Sequence, residues 1–214
     1  MGNGMGGGGG RRRGRVSVNV QNATDVWNFR HQQTNIPFVD SINSGLRTLD
    51  NDFPGFADGI NTVDAVTLKG RGKNTVLGYW DSQSKQLGMN TNYTDVQKMN
   101  TIMDDAAKSG FHPSRGGKTG TEAVALHEGG HALTDFLAQK HGKAGLHELS
   151  QEVVEKAMKA TNAKGGAKAF AGTISGYAKT NYAECVAEAV ADWYCNGSKA
   201  SNSSKAIISV LKTY

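Results

Sequence analysis

Two cysteines, Cys185 and Cys195, are all that the 214 residues contain. They form no CxxC pair, which excludes a disulfide framework and an all-cysteine zinc site. Long apolar runs are missing as well. Neither a secretory signal peptide nor a membrane span is visible, and the chain reads as one made in a reducing cytoplasm. A charge excess of one sign is almost absent outside one segment. Lys+Arg 24 against Asp+Glu 19 gives +5, and four of those cations are Arg11, Arg12, Arg13 and Arg15. Without them the rest stands at about +1, so the body offers no nucleic-acid-binding surface. Only weak contact with phosphate through the tail is expected.

The Gly/Arg-rich residues 1–15 have no apolar periodicity and read as a disordered tail. The remainder, 16–214, is long enough for a single domain, and its 37% hydrophobic content supports one core. Within Val16–Gln32, VSVNV alternates like a short strand, with Trp27 and Phe29 as anchors. Ile42, Leu46 and Leu49 suit a short helix, and Phe53-Pro54-Gly55-Phe56 is turn-like. Three strand-like runs follow: Thr62–Leu68, Thr75–Trp80 and Gln86–Asn92. Asp81–Lys85 serves as a hairpin loop between the last two.

After Tyr93 the periodicity becomes helical, so the arrangement expected is α+β. Thr94-x-x-Gln97 resembles a capping box ahead of a helix with Val96, Met99, Ile102, Met103 and Ala106 on one face, stopped by Gly110 and Pro113. Thr119-x-x-Glu122 is a second box, opening a helix to about Lys140 that Gly142 closes. Further helices are expected over His147–Thr161, Tyr182–Cys195 and Lys205–Lys212. A Gly/Ala/Lys stretch and a loop over Thr173–Lys179 separate the first two.

The helix after Thr119 carries His127-Glu128-Gly129-Gly130-His131, an HExxH sequence. Residues four apart on a helix are offset by about 40° and about 6 Å, so both imidazoles can reach one ion while Glu128 projects beside them as a base. Two glycines inside a helix cost roughly 1 kcal/mol each against alanine. That cost has a purpose if a neighbouring backbone must approach closely there. Two imidazoles leave a catalytic zinc one protein ligand short. His141, ten residues past His131, is rotated by about 280° and off the metal face. Asp135 shares the histidine stripe and reads as a supporting or solvated carboxylate. His31, His112 and His147 read as ordinary polar residues.

The other carboxylates, Glu184, Glu188 and Asp192, form an i, i+4, i+8 stripe that on its own reads as a solvated acidic face. Asn181 could cap this helix with Glu184 closing a capping box, in which case Glu188 would be the ligand. Spacing leaves both glutamates open.

The segment SGYAKTNYAECVAEAV, from Ser175, resembles the YAxTNxxExxAEA signature of zinc metallopeptidases like the anthrax lethal factor catalytic domain. The signature also occurs in phage and mobile-element minor head proteins with a peptidase-like domain. GTEAVALHEGGHAL resembles their active-site helix, and GYWDSQSKQLGMN their edge hairpin. The likeness spans about Thr62 to Tyr194, and residues 16–60 have no counterpart in it. It implies a zincin-like fold: a small mixed sheet with an edge hairpin, packed on an active-site helix and a second, glutamate-bearing helix. It further implies one Zn2+ per chain held by His127, His131 and Glu184, with Glu128 as general base, Tyr177 supporting the tetrahedral intermediate and Glu188 orienting an imidazole. A protein or peptide substrate would add an extended strand at the edge formed by Gln86–Asn92. The alternatives are a phage structural protein that keeps the fold as a scaffold, with other virion proteins as partners, or an injected toxin peptidase.

Overall fold

Apolar spacing decides which segments become helix, and tertiary pairing decides how far each extends. The computed structural model describes residues 16–18, 32–68 and 76–214. The expected tail, the Trp27 and Phe29 anchors, His31 and the start of the Thr75–Trp80 run lie outside the described residues. The elements are, in order, β1 (Val16–Val18), α1 (Gln32–Asp52), β2 (Thr62–Val66), β3 (Gly78–Asp81), β4 (Gln86–Asn90), α2 (Val96–Lys108), α3 (Gly120–Lys140), α4 (Leu146–Ala160), α5 (Gly166–Gly172), α6 (Tyr182–Asn196) and α7 (Asn202–Leu211). One small mixed sheet and a majority of helix make the fold α+β.

The sheet runs β1-β2-β4-β3. β2 and β4 are parallel with Val63 opposite Leu87, and the β3–β4 hairpin is antiparallel with Trp80 opposite Leu87. Gln86–Asn92 is therefore no edge. β4 is paired on both sides and all five of its residues are buried. Among the described strands β3 is the outermost on the hairpin side. The reason is a long-range pairing, β2 docking on the hairpin's second strand, which hairpin chemistry alone does not specify. The hairpin is fastened to α3 by Asp135, which receives Lys85 Nζ at 2.6 Å and Trp80 Nε1 at 3.3 Å.

α1 is 21 residues long, where a short helix was expected. Phe38 and Val39 extend the buried stripe of Ile42, Leu46 and Leu49 upstream. Pro37 lies inside the helix, at its sixth residue, and removes one i→i−4 hydrogen bond. α2 is capped by Asp95, not Thr94: its Oδ1 accepts from Gln97 N at 2.9 Å and Lys98 N at 3.2 Å. At α3, Thr119 Oγ1 does accept from Glu122 N, at 3.0 Å. The Glu122 carboxylate does not return the bond but meets Lys118 Nζ at 2.5 Å and Ser44 Oγ at 2.9 Å. The Gly/Ala/Lys stretch contains a helix, α5, because Phe170 and Ala171 are buried.

α3 is the central helix, packed most extensively against α6 and α1. Its glycines explain how. A Cβ on Gly130 would lie 2.9 Å from Ala187 Cα and 3.1 Å from Val190 Cβ, so the α6 backbone rides directly over that position. A Cβ on Gly129 would lie 2.6 Å from Leu49 Cδ1 on α1. The two glycines thus face different helices.

These contacts predict unequal costs. Gly130→Ala gains about 1 kcal/mol of helix propensity but overpacks against backbone, which costs typically 1–3 kcal/mol, so net destabilisation is expected. Gly129→Ala meets only the tip of a rotatable leucine and should stay closer to wild type. Urea denaturation of the two variants checks this; a Gly129→Ala loss equal to or larger than that of Gly130→Ala would refute it.

Candidate metal centre

The site is assembled by the closeness of α3 and α6. Four-residue spacing puts His127 and His131 on one face of α3, with ring centroids 5.1 Å apart. Asn181 caps α6 by accepting from Glu184 N at 2.9 Å. The Glu184 carboxylate does not close a capping box. Its Oε2 lies 3.2 Å from His127 Nε2 and 3.3 Å from His131 Nε2. That oxygen is buried and has no hydrogen-bond partner. Donor atoms of His127, Glu128 and His131 also lie within 4.8 Å of one another. An orphaned buried carboxylate oxygen aimed between two imidazole nitrogens is the donor set a zinc ion takes, so these residues fit the metal.

Glu188, one turn further along α6, is 1% exposed and meets three other segments. Its Oε1 lies 2.9 Å from His112 Nδ1 in hydrogen-bonding geometry. The same oxygen lies 2.8 Å from His127 Nδ1, though off the line of a well-formed hydrogen bond. Its Oε2 accepts from Ser175 Oγ at 2.6 Å. The acidic stripe is therefore no solvated face. Asp192, the third member, is also buried, and it accepts from Ser201 N at 2.9 Å, Ser204 Oγ at 2.7 Å and Asn196 Nδ2 at 2.9 Å. It ties the start of α7 to α6.

Electrostatics separate the carboxylates. Burial alone would raise Glu184, but His127 and His131 outweigh it and hold it far below the usual carboxylate range. Burial would likewise raise Glu188, yet His112 and His127 bring it down to about 2. At Glu128 burial prevails over the two imidazoles and the pKa is raised. For His127 burial works downward and is overcome by Glu184 and Glu188, leaving it well above its ordinary value. Burial, then the charges of Glu184 and Glu128, raise Tyr177, which stays a protonated hydrogen-bond donor.

The structure brings together His127, Glu128, His131, Tyr177, Glu184 and Glu188, with the Tyr177 ring 5.9 Å from that of His127. His112, read from sequence as an ordinary polar residue, stands in the same cluster. Its ring is 5.3 Å from Tyr177 and 6.2 Å from His127. The turn that carries it folds back on the Tyr177 segment, a contact that no local spacing encodes. Its only sequence signal is a histidine beside Pro113, in the turn ahead of the motif helix. Asp135 is neither solvated nor at the metal donors, since it serves the hairpin. His141 is turned away and bonds the Tyr214 carbonyl, and His147 is exposed.

A cleft of about 720 Å³ opens onto Glu128, His127, His112 and Tyr177. Its other walls are mostly apolar, including Leu77, Ile102, Met103 and Val124. Ile102 and Ala106, on the apolar face of α2, are half-buried at this wall. A smaller cavity of about 210 Å³ beside Cys185 lies apart from the imidazoles. No family model, curated protein or solved structure matches the chain.

Zinc titration separates the two glutamates. Wild type should take one zinc per chain. Glu184→Gln should lose most of the affinity, because two protein ligands remain, and Glu188→Gln should lose roughly 10–100-fold, as changes behind a ligand typically do. Zinc lost more completely from Glu188→Gln than from Glu184→Gln would reverse the assignment.

Proposed function

We propose that this chain is a zinc-dependent endopeptidase with a zincin-like fold, of the lethal factor-like or phage-associated type. The observation that carries the reading is the buried Glu184 oxygen set between His127 Nε2 and His131 Nε2, with Glu128 and Tyr177 beside it in an open cleft. When bound, zinc polarises the scissile carbonyl and makes water a stronger acid. Glu128, whose raised pKa suits a proton carrier, takes a proton from the attacking water and hands it to the leaving amine. The Tyr177 phenol donates a hydrogen bond to the carbonyl oxygen as negative charge builds there. Glu188 keeps the His127 imidazole oriented.

An extended substrate runs along β3. Among the described residues β3 pairs with β4, and Val76, Leu77 and Gly78 line the cleft. Gly78 passes close to the base: a Cβ there would lie 2.9 Å from Glu128 Cγ. Substrate backbone can therefore run within reach of Glu128. No helix among the described residues is long and apolar enough to cross a membrane.

Glu128→Gln should keep its zinc and lose cleavage by about 10²–10⁴-fold, the range for removing a general base. Tyr177→Phe should lower kcat by about 10²-fold with little change in KM, as loss of one oxyanion donor does. A peptide-library digest with zinc-loaded protein provides the measurement. Zinc-loaded wild type that cuts nothing would favour an interaction protein and overturn the peptidase reading.

A further inference from the structure

We infer that His112 is a positioning residue of the metal centre: it holds the Glu188 carboxylate against His127 and latches the loop that carries Tyr177. The inference rests on the zinc site proposed above. His112 lies in the connection between α2 and α3, far in sequence from both residues it serves. Two backbone hydrogen bonds zip that connection to the Tyr177 segment, Gly176 N to Gly110 O at 2.7 Å and Tyr177 N to Phe111 O at 3.0 Å. Rings reinforce the zipper, with Phe111 and Tyr177 centroids 5.3 Å apart and His112 edge-on to Tyr177 at 5.3 Å.

The side chain completes the latch. A carboxylate oxygen only accepts, so the bond from His112 to Glu188 places a proton on His112 Nδ1. The oxygen it binds is the one beside His127 Nδ1. The other oxygen is held by Ser175 Oγ, which also accepts from Ala178 N at 3.0 Å, so both sides of the Tyr177 turn are tied to one carboxylate. Of the two imidazoles at Oε1, His112 has the aligned hydrogen bond. It therefore fixes where that oxygen sits when His127 turns its Nδ1–H toward it and its Nε2 toward the metal. Orienting a ligand imidazole through its second nitrogen affects metal affinity as well as geometry.

The test uses the full chain as wild type, His112→Ala, His112→Asn and His112→Gln. Zinc affinity is measured by competition with a chelating dye, and amide exchange at Gly176 and Tyr177 is measured in zinc-free protein. His112→Ala should bind zinc roughly 10–100-fold more weakly and exchange those two amides faster. His112→Asn, whose Nδ2 overlies the imidazole Nδ1, should restore affinity to within about threefold of wild type, while His112→Gln, with its donor too far out, should not. In peptide cleavage, kcat should fall with zinc occupancy at little-changed KM. If His112→Ala fails to fold, the comparison of Asn with Gln decides alone. Wild-type zinc affinity and exchange in His112→Ala, or an Asn variant no better than Gln, would overturn the inference. A loss of kcat with zinc binding untouched would also overturn it, making His112 a substrate contact. Should the protein cut no peptide, the zinc and exchange measurements still decide, so failure of the peptidase reading stays distinguishable.

Discussion

The buried Glu188 carboxylate is the constraint on which the arrangement of the site depends. Removing an ionised carboxylate from water costs several kcal/mol unless charged or hydrogen-bonding partners replace the solvent. Here the partners come from three places in the chain: the connection before α3, α3 itself, and the turn before α6. None can leave without exposing the others to an uncompensated charge. Segments that are distant in sequence are thereby made to meet at one point, and that point lies directly behind His127.

Gly130 sets the distance over which this works. With a side chain at that position, α6 would stand further from α3 and the carboxylates would fall short of the imidazoles. With none, the Ala187 backbone approaches closely enough for Glu184 and Glu188, one on either side of Ala187 along the helix, to reach the histidines. Helical spacing of four on both partners supplies the match: two imidazoles on one face and two carboxylates on the other. The close approach and the meeting of carboxylates with imidazoles are consequences of the same packing.

What could be read from the sequence was what is local. HExxH, the α3 and α6 caps, the hairpin loop and the helical order of the C-terminal half follow from contacts within a few residues, and the structure contains each of them. What could not be read depends on partners far along the chain. β4 lies inside the sheet because β2 pairs with it. α1 is longer than its apolar stripe suggested, and its fit on α3 explains Gly129. Asp135 and Asp192 look like solvated charges until Lys85 and the start of α7 are brought to them. His112 is the sharpest case, because its neighbour in space is 76 residues away.

Three carboxylates on one helical stripe have three fates, and the difference lies only in what meets them. Glu184 sets its buried oxygen between two imidazole nitrogens without a well-formed hydrogen bond to either, which suits metal coordination. Glu188 faces N–H and O–H donors, which suit orientation, and Asp192 faces hydroxyl, amide and backbone donors, which suit structure. Glu128, one residue along α3 from His127, completes the contrast. Its neighbours fail to offset burial, so its pKa moves up while those of Glu184 and Glu188 move down. Carboxylates driven apart in this way divide their chemistry, the depressed pair fixed as anions and the raised one free to exchange a proton. That division is set by packing and not by residue type.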